Sequence, residues 1–114
     1  MVIVKDIPEE PLKFIKNCIE QRYIYWTYHV NMRLRERYIS REQILEDVNT
    51  YEIIESYPED KYLPSYLICG ESKQGIFHVQ FAVDLENKNV RVITAYIPEP
   101  GKWKSGLKIR RNQK

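Results

Sequence analysis

The hydrophobic period of this chain changes once, near residue 50, and that change sets its fold class. Before it, apolar residues recur at helical spacing: Leu12, Ile15, Cys18 and Ile19 in one segment, Val30, Leu34 and Tyr38 in a second. Beyond it they alternate with polar residues or run continuously, as they do in strands. Helices followed by strands with short connections predict an α+β protein, with N-terminal helices packed on one face of an antiparallel sheet of about four strands. The 114 residues fit a single domain over 1–114. A chain of that size buries roughly 65% of the surface it exposes when unfolded, enough for one core without disulfides or metal.

Local signals refine this outline. Pro8 and Pro11 open a first helix that runs to about Arg22. Tyr23-Ile24-Tyr25-Trp26 is a short aromatic run of ambiguous structure. Thr27 is an N-cap for a second helix over 28–38. Ser40 with Gln43 fits a capping box for a third, which ends near Asn49 and buries Ile44, Leu45 and Val48. Strands follow at 51–57, 65–71, 76–84 and 90–97. In the third of these, Phe77, Val79, Phe81 and Val83 point one way and His78, Gln80 and Asp84 the other. One sheet face should therefore pack on the helices and the other be at least partly open.

Several function classes are disfavoured. Cys18 and Cys69 form no CxxC and sit near no ligand cluster, so they read as small apolar residues of a reduced cytoplasmic protein and not as a zinc site. The start, Met-Val-Ile-Val-Lys-Asp, is too short and too soon charged for a signal peptide. No apolar run approaches a membrane span. There is no phosphate-cradling glycine loop, no GxSxG elbow and no HExxH, so no metal or cofactor is expected. Charge is uneven: residues 58–114 hold 10 Lys/Arg against 6 Asp/Glu, and the basic tail over 104–114 holds no acid. Such a tail is drawn to a polyanion or an acidic partner, or else is a solvated terminus.

The strongest local feature is on the second helix. His29, Arg33 and Arg37 stand at i, i+4 and i+8, one cationic stripe beside the apolar one. A bound anion would relieve their mutual repulsion, and His29 is a candidate general base. Salt bridges to Glu36 and neighbouring acids are the alternative. His78 lies on the polar side of its strand with Gln80, and Tyr96 and Thr94 share a face of the last strand. Whether that face also bears His78 is left open by the sequence. Lys73 and Lys61 are loop cations able to touch phosphate. Trp103, after Pro98, Pro100 and Gly101, locks a terminus onto the body.

Three stretches carry a resemblance. They are Thr27 through Ser40 (TYHVNMRLRERYIS), Glu52 through Asp60 (EIIESYPED), and Phe77-His78-Val79 with Ile93-Thr94-Ala95-Tyr96-Ile97-Pro98. In that order they resemble the prokaryotic domain-of-unknown-function family 4258, over roughly residues 25–103. That family is similar to RelE-like toxins, small proteins of RelE/barnase-like architecture with helices before an antiparallel sheet, encoded beside zinc-finger antitoxins. The resemblance implies metal-independent RNA cleavage by attack of a 2′-hydroxyl on the adjacent phosphate, with RNA and an antitoxin protein as partners. It maps onto His29, Arg33, Arg37, His78 and Tyr96. His29 or His78 would be the base, with the other or Tyr96 the acid. Arg33 and Arg37 would stabilise the developing charge, with Thr94 and Lys73 as further phosphate contacts. One departure is Tyr38, where members often have glycine. The alternatives are a non-catalytic module that binds RNA or an acidic protein, and a structural interaction domain.

Overall fold

The computed structural model describes residues 7–37 and 39–111. The chain order is α1 (Pro11–Glu20), β1 (Ile24–Trp26), α2 (Tyr28–Glu36), α3 (Arg41–Glu46), a 3-10 turn (Val48–Thr50), β2 (Glu52–Tyr57), β3 (Ser65–Ser72), β4 (Gly75–Asp84), β5 (Asn89–Tyr96), β6 (Trp103–Lys104) and β7 (Ile109–Arg110). None of these helices is long and apolar enough to cross a membrane.

Each helix boundary has a local cause. Pro11 starts α1, its missing N–H falling where a helix has no acceptor for one. Arg22 ends it in the left-handed region at φ 66°, and the Tyr23 N–H returns to the Cys18 carbonyl at 2.8 Å, which closes the last turn. Thr27 Oγ1 accepts from the Val30 N–H at 3.0 Å and caps α2. Ser40 Oγ accepts from the Gln43 N–H at 3.0 Å, the first half of the expected capping box. The second half is missing, because the Gln43 side chain donates to Ser72 Oγ at 2.7 Å on β3 instead of turning back. The described part of α2 ends at Glu36, and Tyr38, expected on its apolar stripe, lies outside the described residues.

The main sheet has five strands in the order β1-β5-β4-β3-β2, one more than the expected meander. The addition is the aromatic run: Ile24, Tyr25 and Trp26 pair in parallel with Val90, Arg91 and Val92. Three residues are too few to display a period, so only the tertiary partner defines this strand. The remaining pairs are antiparallel, with β2, β3, β4 and β5 as successive neighbours. The helix-facing side carries the core. Phe77, Val79, Phe81 and Val83 are fully buried with Ile15 and Ile19 of α1 and Ile44 of α3, each worth about 1.5–3 kcal/mol relative to exposure. Tyr51 joins this core and donates its hydroxyl to the Ile44 carbonyl at 2.5 Å. Gly70 lies under the Phe77 ring, and a Cβ there would stand 2.5 Å from it.

Two bulges decide what the other face presents. In β2 the register passes from Ile53↔Ile68 to Glu55↔Leu67, so Ile54 is the extra residue. In β5 it passes from Thr94↔Gln80 to Val92↔Phe81, so Ile93 is extra. Each bulge reverses the alternation along its strand. Glu55 and Tyr57 therefore come to the same face as His78 and Gln80. Thr94 and Tyr96 stand directly opposite Gln80 and His78, which answers the question the sequence left open.

Candidate functional site

The second face of the sheet is partly roofed by the chain's own C-terminal segment. β6 and β7 form a two-stranded hairpin, with Trp103 opposite Arg110. The chain reverses through Ser105, Gly106 and Leu107, all at positive φ. Lys108 Nζ meets Glu52 Oε1 at 3.0 Å, and the Arg110 guanidinium forks onto Glu55 at 3.0 and 3.2 Å. Two cations of the basic tail, Lys108 and Arg110, thus find acids on the protein's own sheet. Residues 112–114 lie outside the described residues. Trp103 is the lock expected of it: it is buried, with its ring edge-on to His78 at 4.5 Å between centres.

His78 is fully buried beneath this hairpin. One ring nitrogen, Nε2, lies 2.7 Å from the Leu107 carbonyl, which can only accept, so Nε2 carries the proton. Nδ1 is then the acceptor for the Tyr96 hydroxyl at 3.2 Å. Both nitrogens are used inside the protein, so His78 does not line the cleft and is placed to orient Tyr96. Burial pushes the His78 pKa below its ordinary value near 6.5, more than the Leu107 carbonyl and Glu55 pull it up, and Arg110 adds to the depression. The unfolded chain therefore takes up a proton at this ring at a higher pH than the folded one. Stability should be full above about pH 6.5 and fall as the pH drops below it. Urea midpoints at pH 7.5 and 5.5 check this: the difference should shrink in His78→Gln, and an unchanged difference would assign it elsewhere.

Beside the hairpin opens a cleft of about 750 Å³, whose lining includes Arg37, Glu55, Tyr57, Gln80, Tyr96 and Arg110. Arg110 is fixed twice, by its fork onto Glu55 and by lying 4.5 Å over the Trp103 ring. Glu55 also accepts from the Tyr57 hydroxyl. Burial opposes the charge on Glu55, but the hydrogen bonds from Arg110 and Tyr57 and the charge of Arg110 outweigh it and hold the carboxyl below its usual range. Burial pushes the Tyr96 phenol up, so it keeps its proton at neutral pH. Arg37 reaches the cleft from beyond the end of α2, donating from Nη1 to the Ala95 carbonyl at 2.8 Å and to Thr94 Oγ1 at 3.2 Å. Thr94, expected as a phosphate contact, thus serves to hold Arg37.

The predicted cationic stripe forms. Arg33 Nε–H donates to His29 Nε2 at 3.4 Å, and both line a small hollow of about 200 Å³ with Arg37 and Thr94. Arg37 is common to this hollow and to the cleft. His29 and His78 do not meet: one is exposed on α2, the other buried behind Tyr96. Lys73 is exposed in the β3–β4 turn and lines neither space. Glu55, Tyr57 and Arg110 are the residues that sequence reasoning missed. The acid-free run over 104–114, which includes Arg110, was the available signal for the last. For Glu55 there was none, because the bulge that turns it leaves no mark in the alternation. Among the described residues no group of three or more His, Cys, Asp or Glu is placed to hold a metal ion. Cys18 and Cys69 are buried free thiols.

No curated protein and no solved structure matches this chain. The model of the family described as domain of unknown function, DUF4258, matches residues 26–97, from the last residue of β1 to just past β5, and the chain belongs to that family.

Proposed function

We propose that this protein is a metal-independent endoribonuclease of the toxin type, RelE-like in arrangement, acting on RNA in the cytoplasm and held in check by an antitoxin protein. The observation that carries this reading is one cleft lined by Arg37 and Arg110 together with a carboxylate anchored by Arg110, Glu55, and a phenol, Tyr96; Asp60, Glu99 and Lys102 line it too. The reaction needs a base for the 2′-hydroxyl, cations for the charge that grows on phosphorus, and a proton for the departing 5′-oxygen. Glu55, ionised and anchored by Arg110, takes the 2′-hydroxyl proton. Arg37 and Arg110 offer N–H donors to the phosphate oxygens. Tyr96 gives its proton to the 5′-oxygen by turning its hydroxyl away from His78. These groups suffice for the reaction, and Arg33, with His29 accepting from it, extends the cationic surface beyond the cleft.

The same geometry favours a second reading at one point. Glu55 already accepts from Arg110 and Tyr57, an arrangement equally suited to a fixed recognition surface. A non-catalytic RNA-binding module is therefore the alternative. Incubation of labelled mixed-sequence RNA with wild type and Arg37→Ala, with chelator present, separates the two. Cleavage should survive the chelator and fall by about 10²–10³-fold in the variant. Salt-sensitive binding without cleavage would favour the module. Neither binding nor cleavage by folded protein would sink both readings.

A further inference from the structure

We propose that the solvent-facing flank of β5 carries a track for single-stranded RNA leading away from the cleft, with a nucleobase seat between Tyr62 and Ile93. The proposal rests on the RNA reading of the cleft and names the substrate form that reading leaves open.

The first support is continuity. β1 accompanies β5 only through Val92, and beyond that α2 flanks the strand. Along this flank the surface hollows overlap. Arg37 is shared by the cleft and the small hollow beside α2. His29, Val30 and Ile93 are shared by that hollow and a third of about 380 Å³. Arg91 is shared by the third and a fourth, of about 530 Å³, where Tyr25 stands 61% exposed. The β5 bulge contributes directly, since it throws Ile93 outward to 43% exposure and makes it a wall of two hollows.

The second support is the chemistry of the third hollow. Part of its lining is apolar, Leu63, Ala82, Val92 and Ile93, and His29, Lys61 and Arg91 line it too. Tyr62 is 80% exposed, and Lys61 Nζ lies over one face of its ring, 5.2 Å from the centre, so a base would stack on the other. A flat apolar group flanked by a negative one fits such a place, which describes a base and its phosphate. Asp60 also lines it, but its carboxylate is turned to Ser65 Oγ at 2.6 Å and the Lys61 N–H at 3.1 Å. Arg91 pairs with Asp84 at 2.9 Å and is still half exposed. A duplex keeps its bases stacked inward and cannot fill a seat of this kind, so the ligand is single-stranded.

Tyr96 at the cleft and Ile93 at the seat are three residues apart on β5, roughly 10 Å at strand rise, and Asp60 lines both spaces. A single nucleotide held in the cleft does not bridge the two, and a hexanucleotide does. Binding of 2′-O-methyluridine 3′-phosphate and of an uncleavable 2′-O-methyl hexauridylate is measured by fluorescence anisotropy for wild type, Tyr62→Ala and Arg91→Ala. Wild type should bind the hexamer at least tenfold more tightly than the mononucleotide. Tyr62→Ala should lose about tenfold on the hexamer and nothing on the mononucleotide. Arg91→Ala should do likewise and lower the salt slope for the hexamer by about 0.7. Because Arg91 also holds Asp84, the exposed Tyr62 variant decides the matter if Arg91→Ala is unstable. Equal wild-type binding of both lengths, or equal weakening of both by Tyr62→Ala, overturns the track and leaves the cleft reading standing. Binding of neither length by folded protein overturns the cleft reading and the track with it.

Discussion

Glu55→Gln should reduce RNA cleavage by about 10²–10⁴-fold, the contribution of a positioned general base, while RNA binding is kept or strengthened. Glutamine has the shape of glutamate, and its amide oxygen can still accept from Arg110 or Tyr57, but it cannot take a proton from a 2′-hydroxyl. The fold should survive. The Glu55–Arg110 pair is partly exposed, and such pairs contribute at most about 1 kcal/mol. Removing the negative charge also frees Arg110 for phosphate and makes the cleft more cationic, so the dissociation constant should hold or fall. Single-turnover cleavage and anisotropy on the same RNA, with a urea melt as control, give the three readings. Wild-type cleavage by Glu55→Gln would remove Glu55 as the base. Loss of binding together with cleavage would make the carboxylate a structural anchor for Arg110.

Trp103→Ala should destabilise the protein by about 3 kcal/mol, at the low end for removing a buried aromatic, because its site lies under a two-stranded hairpin and not within the main core. Trp103 stands at a junction. Its ring covers His78 on one side and supports Arg110 on the other. Its loss should therefore let solvent reach His78 and loosen the fork on Glu55. A second signature follows from the first. With His78 exposed, its folded and unfolded titrations converge, and the drop in stability between pH 7.5 and 5.5 should shrink along with the stability itself. Urea melts of wild type and variant at the two pH values test both parts. A loss under about 1 kcal/mol with the pH effect intact would mean that the hairpin is not what seals His78.

The helices and four of the strands were legible because each repeats its period for long enough to be read. β4 alternates over ten residues, and the caps at Thr27 and Ser40 act within a single turn. β1 was not, since its partner lies near residue 90 and three residues carry no rhythm of their own. At the site, Arg37 and Tyr96 were found, one from helical spacing and the other from its strand face. Glu55 was hidden by the bulge at Ile54, which no residue type announces. Arg110 was seen as part of a basic tail, but its acid lies more than fifty residues back and becomes a neighbour only when the hairpin folds over. The polar side of β4 was correctly separated from its apolar side, whereas burial of His78 depends on Trp103 and Leu107, which belong to another element.

The parallel pairing of β1 with β5 also bears on how the sheet comes into being. Ile24 is among the first described residues to leave the synthetic machinery, yet its neighbour Val90 is among the last. The β2–β3–β4–β5 meander can zip up through short loops, each closing at small entropic expense. The outer strand must wait for that meander and then dock across a separation of more than half the chain, from Ile24 to Val90. Non-local closures of this kind slow folding. The helices α1 and α2 pack on β5 and β4, strands of that meander, so their seat exists before β1 docks.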